Sequence, residues 1–418
     1  MPSLTLDGRT LSFEPGATIL DVARAHGIDV PTLCWYPKLP NVANCRICLV
    51  SVEGAPKLMP ACGTPAQDGM VVETESAAAV DNRRGVLRHL LERYPGEHLD
   101  GAGGNGHRAR NEFERYVTRY AVRPPARHEL PLRGGDTRPG DVMISHDMSL
   151  CILCTRCVRA CEDIQEVGVL DVADRGAGTR IIVGGDGDPD HAGCTWCGEC
   201  VRVCPTGAIF EVIPRQKFDA ETIRHPDRVV RSVCPYCGVG CQIDLHTRGN
   251  EVVRVTSPWI EERTPNQGST CVKGRFGYDF PQHRDRLKTP LIRKEWRRQP
   301  DGRWVWTGES PRWRPGPWPT VAEEGRGRKP RPPRRQIGKP PLTGLGLEAD
   351  GDVRDRNATP PTWYEPFREA SWEEAMSLTA QELLRVRDTA GPGALAAFSS
   401  AKCSNEENYL LMRMVRAA

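Results

Sequence analysis

CILCTRCVRAC at residues 151–161 and CTWCGECVRVCP at residues 194–205 repeat one spacing, with two, two and three residues between successive cysteines and a proline closing the second run. A two-residue gap lets neighbouring thiolates converge on one cubane, while the fourth cysteine of each run turns away and reaches the other cluster. The doubled pattern therefore assigns Cys151, Cys154, Cys157 and Cys204 to one 4Fe-4S cluster, and Cys194, Cys197, Cys200 and Cys161 to a second. Two zinc sites are the alternative, and eight thiolates in this doubled pattern suit them less well. Folds of this size are organised by metal, so little regular structure is expected between residues 147 and 213.

Beyond the doubled run, Cys234, Cys237, Cys241 and Cys271 have gaps of two, three and twenty-nine residues, with Lys273 just past the last of them. A third 4Fe-4S cluster fits this set, and on spacing alone a zinc ribbon fits it too. Strand-like alternation at residues 242–245 and 252–255 follows the cysteine loop. Ahead of the doubled run, Cys34, Cys45, Cys48 and Cys62 have gaps of ten, two and thirteen. That spacing differs from the plant-type 2Fe-2S pattern, which has four residues between its first two cysteines. The flanking sequence decides between a 2Fe-2S cluster and a zinc knuckle. Leu4, Leu6, Leu11 and Phe13 alternate around an Asp7-Gly8 turn, which predicts a hairpin. Thr18 and Asp21 form a capping box for a helix over 19–26, which Gly27 can close. Strand, strand, helix is how a β-grasp domain begins, and it favours 2Fe-2S.

Sixteen of seventeen cysteines fall into these four sets, leaving Cys403 outside them. Such clustering is a poor disulfide framework and implies thiols kept reduced, hence a cytoplasmic protein. A net charge of +3 with 27% charged residues supplies no global field that calls for nucleic acid or a membrane surface. The sequence has no apolar run of about 18 residues and no leader-like start, so no membrane segment is expected.

At 418 residues the chain should divide into several domains. The fold class read from these signals is multidomain α+β: a β-grasp domain over 1–79, a helical segment over 80–140, a two-cluster domain over 141–217, and a further cluster domain over 227–290. Val86, Leu87, Leu90 and Leu91 share one face of a helix predicted over 80–94, ahead of a glycine-rich bend at 101–106 and a second helix over 112–120. Residues 291–368 read as a disordered linker or insertion, because Pro, Gly, Arg and Trp recur without period. Its basic run GRGRKPRPPRRQIGKPP (325–341) reads as solvated chain rather than a nucleic-acid reader. Over 369–418, Ser371 with Glu374 caps a helix to about residue 387, a strand over 394–398 follows, and Ser404 with Glu407 caps another helix. This resembles the start of an α/β domain cut short.

With those residues in hand, the chain resembles the alpha subunit of cytoplasmic, molybdenum-dependent formate dehydrogenases over residues 1–290 and 370–418. CRICLVSVEG, CILCTRCVRACEDIQ, CTWCGECVRVCPTGAIF, CPYCGVGC with CVKGRFGYDF, and FSSAKCSNEENYLL carry the resemblance. It implies a molybdenum bis-pterin guanine dinucleotide cofactor beside the last cluster, with Lys273 as electron relay, and a flavin- and NAD-binding partner subunit. It also implies a further His-Cys-Cys-Cys cluster between Cys62 and Cys151. No cysteine occurs there, so His98 and His107 read as surface residues and that cluster as absent. The family's molybdenum ligand and catalytic histidine and arginine would follow residue 418, so the chain reads as lacking catalytic residues. Cys403 precedes that ligand position and reads as a buried free thiol. Three other readings stand beside this one: a relay subunit resembling the large iron-sulfur subunit of NADH-quinone oxidoreductase, an iron-only hydrogenase relay, and a zinc-stabilised interaction protein.

Overall fold

The computed structural model describes residues 1–95, 111–125, 143–185, 192–218, 222–223, 225–260, 262–283, 286–308, 366–400 and 402–417. The chain forms two units, Met1–Arg284 and Asp285–Ala418.

The first unit opens with the predicted hairpin. Ser3–Leu6 pairs antiparallel with Arg9–Ser12, and Asp7 and Gly8 both take positive φ, which matches the turn to the twist of the strands. Ser3–Leu6 also runs parallel to Val71–Glu73, and the five-stranded sheet is completed by Leu49–Val52 and Met59–Pro60. The helix Ile19–Ala25 carries the capping box of Thr18 and Asp21. Its Ile19, Leu20, Val22 and Ala23 share one core with Leu4, Leu6, Leu11, Phe13, Val50 and Val72. Cys48 and Cys62 lie in that same core.

The helix predicted over 80–94 runs Ala77–Leu91, because Ser76 accepts a hydrogen bond from the Ala79 amide and starts it earlier. The second helix, Glu112–Arg119, is capped by Asn111. The glycine-rich bend, His98 and His107 lie outside the described residues.

The doubled cysteine run holds more regular structure than expected. Ile144–His146 pairs with Ile209–Glu211, and Leu170–Ala173 pairs with Arg180–Val183. Both pairs bury apolar side chains around the cysteines, in a core with Ile144, Val169, Leu170, Ile181, Val183 and Ile209. The next segment is a three-stranded antiparallel sheet of Arg228–Val233, Gln242–Arg248 and Glu251–Thr256, followed by the short helix Val272–Phe276.

The second unit corrects the linker expectation at both its flanks. Leu291–Arg293 pairs with Phe367–Glu369, and Trp296–Arg298 pairs with Trp304–Trp306. The alternating tryptophans signal the second pair: Trp296 and Trp306 meet edge-on at 5.5 Å, and Trp304 packs with Ile292, Ala370 and Leu378. The backbone of Trp304 exchanges two hydrogen bonds with the Gln381 side chain, at 2.7 and 2.8 Å. The remainder of the linker, 309–365, lies outside the described residues. The helix capped by Ser371 and Glu374 runs Trp372–Ala390, and Asn405–Ala417 forms the last helix. The strand expected over 394–398 is absent. Pro392–Ala394 is a 3-10 turn, and the following residues find no strand to pair with among those described.

Candidate iron-sulfur sites

Each thiol set is assembled by short loops whose backbone bends the wrong way for most residues. In the doubled run, Leu153 and Thr155 have φ of 56° and 57°, and their counterparts Trp196 and Gly198 have 55° and 78°. Left-handed backbone at non-glycine residues costs about 1–3 kcal/mol each and persists only where the surroundings impose it. Its effect here is to point amides inward. The Leu153 amide donates to Cys151 Sγ and the Trp196 amide to Cys194 Sγ, both at 3.4 Å. The Val169 amide donates to Cys161 Sγ at 3.3 Å. Amide hydrogen bonds to sulfur stabilise added negative charge and are one of the protein's means of setting a cluster's potential.

The grouping of these cysteines follows from what surrounds them. Cys161, Cys194, Cys197 and Cys200 line one cavity with Ile144, Val169, Leu170 and Val183. Cys151, Cys154, Cys157 and Cys204 line another with Met148, Ile181 and Ile209. The fourth cysteine of each run therefore stands with the first three of the other. Burial, with Cys204 and Cys151 nearby, pushes the Cys154 thiol up to about 12. Burial pushes Cys157 well above the usual thiol range, aided by Cys154, Cys151, Cys204 and Cys200. Cys200 is raised in the same way, by burial and by Cys197, Cys194 and Cys161. Enclosed thiols of this kind are neutral until a metal displaces their protons.

The amino-terminal set is arranged as two pairs. Cys48 donates to Cys62 at 3.3 Å. A hydrogen bond from Cys45 holds Cys34 down at about 5, against the opposing effect of burial. The Cys45 amide also donates to Cys34 Sγ at 3.4 Å. Two pairs of thiolates, one pair per iron, is the donor set of a 2Fe-2S rhomb. Behind the loop, the fully buried Arg83 donates to the Ile47 and Leu49 carbonyls, both at 3.3 Å, and pairs with Glu75 at 3.0 Å.

The last set is more open. Cys234 is buried and Cys241 partly so, while Cys237 and Cys271 are exposed. Burial raises Cys241, and Cys234, Cys237 and Cys271 all act on it, so the four thiols share one locale. Lys273 is exposed and its charge is felt at Cys234. Among the described residues, no three His, Cys, Asp or Glu side chains close to the distances that a single metal ion needs. Cys403 is exposed, which corrects the expectation of a buried thiol.

Sequence reasoning missed the arginines that tie these sites together. Arg275, on the helix after Cys271, donates to the Cys197 carbonyl at 3.0 Å and to Glu211 at 3.3 Å. Arg156 pairs with Glu112 at 2.9 Å and donates to the Thr32 and Val203 carbonyls. Arg159 donates to the Cys34 carbonyl at 2.6 Å, to Pro40 at 2.7 Å and to Cys154 at 3.4 Å. The one sequence signal for Arg156 and Arg159 is position, since CTRCVRAC places both between cysteines.

Three stretches of the chain match known domain families. Residues 2–77 match a 2Fe-2S iron-sulfur cluster binding domain. Residues 141–210 match the ferredoxin-like domain of NADH-quinone oxidoreductase subunit 3, and residues 227–283 the Fe4S4 domain of molybdopterin oxidoreductases. An NADH-quinone oxidoreductase subunit of Rhizobium meliloti is 37% identical over 71% of this chain and 33% of its own length. The alpha subunit of an NADPH-Fe(3+) oxidoreductase of Geobacter sulfurreducens is 29% identical over 100% of this chain and 39% of its own. A putative formate dehydrogenase of Staphylococcus aureus is 23% identical over 99% of this chain and 38% of its own. The chain thus spans 33% to 39% of the length of these relatives. It carries 2Fe-2S and 4Fe-4S cluster-binding domains and is an iron-sulfur electron-transfer protein related to these oxidoreductase subunits. No helix among the described residues is long and apolar enough to cross a membrane.

Proposed function

We propose that this iron-sulfur electron-transfer protein is a linear relay, joining a two-electron oxidation site to a pyridine-nucleotide-linked partner subunit. Its cofactors are one 2Fe-2S cluster on Cys34, Cys45, Cys48 and Cys62, and three 4Fe-4S clusters. The cubane ligands are Cys151, Cys154, Cys157 and Cys204, then Cys161, Cys194, Cys197 and Cys200, then Cys234, Cys237, Cys241 and Cys271. The observation that carries the reading is continuity. Arg159 joins the Cys34 and Cys154 loops, the Cys157 thiol is influenced by Cys200, and Arg275 joins the Cys271 helix to Cys197.

When bound, each iron-sulfur centre takes up and releases a single electron. The chain's residues hold, space and insulate those centres. Apolar side chains exclude water from the paired sites, inward amides stabilise charge on sulfur, and buried arginines fix one loop against the next. Thiols kept reduced for metal suit a reducing compartment such as the cytoplasm.

At the far end the resemblance implies a molybdenum bis-pterin guanine dinucleotide site oxidising formate. The relative named as a putative formate dehydrogenase, which aligns over 99% of this chain, supports that choice. The exposed Lys273, next to the last cysteine set, is the residue of this chain we assign to that end. A relay subunit of the NADH-quinone oxidoreductase kind is the second reading, favoured by the 37% identity to the Rhizobium meliloti protein.

Anaerobic reductive titration followed by paramagnetic resonance tests the relay. The expected result is uptake of about four electrons per chain, with one slowly relaxing 2Fe-2S signal and fast-relaxing 4Fe-4S signals. Absence of the 2Fe-2S signal at full iron loading would refute the assignment. Reduction of the centres by formate in a molybdenum-containing preparation supports the first reading; reduction through the nucleotide-linked partner but never by formate supports the second.

A further inference from the structure

Arg83, Arg156, Arg159 and Arg275 are the buried arginines among the described residues of the first unit. Three of them have carboxylate partners: Glu75 for Arg83, Glu112 for Arg156, and Glu211 for Arg275. Arg159 has none within ion-pair distance among the described residues. Its guanidinium is instead held by the carbonyls of Cys34, Pro40 and Cys154 and by the Thr155 hydroxyl at 3.4 Å. A buried cation satisfied only by neutral acceptors is costly, and such groups persist where a counter-charge completes them. Groups that can carry such a charge face Arg159 from the two thiol sets and, more weakly, from the exposed Asp163. Cys34 and Cys154 are the strongest favourable electrostatic partners of Arg159, and each belongs to a different cluster site.

We propose that Arg159 is the shared counter-charge of the 2Fe-2S centre and the adjacent 4Fe-4S centre, a positioning residue that raises both reduction potentials and fixes their separation. This inference rests on the assignment of the cysteine sets as cluster sites. Both centres gain an electron on reduction, so one cation between them favours the reduced form of each. Coulomb's law at an effective dielectric near that of protein interiors makes one such charge worth roughly a tenfold shift in each reduction equilibrium. For a one-electron centre that is about 59 mV. Separate counter-ions would tune the two centres independently; a shared one moves them together.

The test is a redox titration of the iron-loaded full chain, read by paramagnetic resonance, on wild type, R159Q and R159K, with iron content measured on each. R159Q should lower both potentials by roughly tenfold in equilibrium terms, leaving the centre in the Cys234 set where it was. R159K keeps the charge and should return both potentials toward wild type. Unchanged potentials in R159Q at full iron content would overturn the proposal while leaving the cluster assignment intact. R159K behaving like R159Q, whether in potential or in lost iron, would also overturn it, since only the fork of hydrogen bonds would then matter. Should R159Q bind less iron, R159K with full iron and wild-type potentials supports the counter-charge role. A wild-type chain without a 2Fe-2S signal would instead defeat the underlying assignment.

Discussion

Residue 198 is glycine because of what packs against it, more than because of its turn. Its φ of 78° lies in the left-handed region, and a Cβ there would run into the side chain of Arg275. Its counterpart in the first run, Thr155, has nearly the same backbone but carries a side chain, so the turn alone does not demand glycine. The approach of Arg275 does. Gly198→Ala should therefore destabilise the chain by about 1–3 kcal/mol, measured as a lower denaturation midpoint under anaerobic conditions, whereas Thr155→Gly should change it by less. The ligand sets are separable at the same scale. Cys200→Ser should remove one 4Fe-4S signal and leave the 2Fe-2S signal at wild-type intensity. Loss of both signals would mean that the sites do not form independently.

Among the elements, the helix Ala77–Leu91 holds the cysteine loop through Asn82, which donates to the Arg46 carbonyl, and through Arg83. Arg83 reaches across to the loop that carries Cys45 and Cys48 and satisfies the Ile47 and Leu49 carbonyls. Arg83→Met should remove the Arg83 donor from the buried Ile47 contact and the half-buried Leu49 contact and cost about 2–4 kcal/mol. The 2Fe-2S signal should be lost at lower temperature than the 4Fe-4S signals. A second buried group joins three elements. Glu211, on the strand Ile209–Glu211, pairs with Arg254 at 2.8 Å and Arg275 at 3.3 Å. Burial alone would raise its pKa, but Arg254 and Arg275 together outweigh that and hold it below the ordinary value of 4.5. A carboxylate depressed on folding contributes stability that is complete above the ordinary value and lost as pH falls through the folded one. Acid unfolding should thus steepen below about pH 4.5. Glu211→Gln should flatten that part of the curve while lowering stability at neutral pH. An identical acid limb in the variant would show that other carboxylates govern it.

Over the whole molecule, what the sequence made legible was local. The Asp7-Gly8 hairpin and the capping boxes at Thr18 and Ser371 each lie within a few residues of their partners. The doubled run was legible at longer range only because its repeat implies exchange of the fourth cysteine. What was not legible depends on contacts distant in sequence. Arg159 meets Cys34 across 125 positions and Arg275 meets Cys197 across 78, and no local pattern distinguishes either arginine from a solvated one. The strands at 291–306 were hidden for another reason: three-residue strands flanked by Pro and Arg look like linker until Trp304 finds Gln381. The central claim, four cluster sites in one chain, reduces to counting atoms. Iron, acid-labile sulfide and zinc should be quantified on anaerobically purified protein. About fourteen irons and as many sulfides per chain, with zinc far below one, is the result this account predicts. Zinc near one per cysteine set with little iron or sulfide would contradict it.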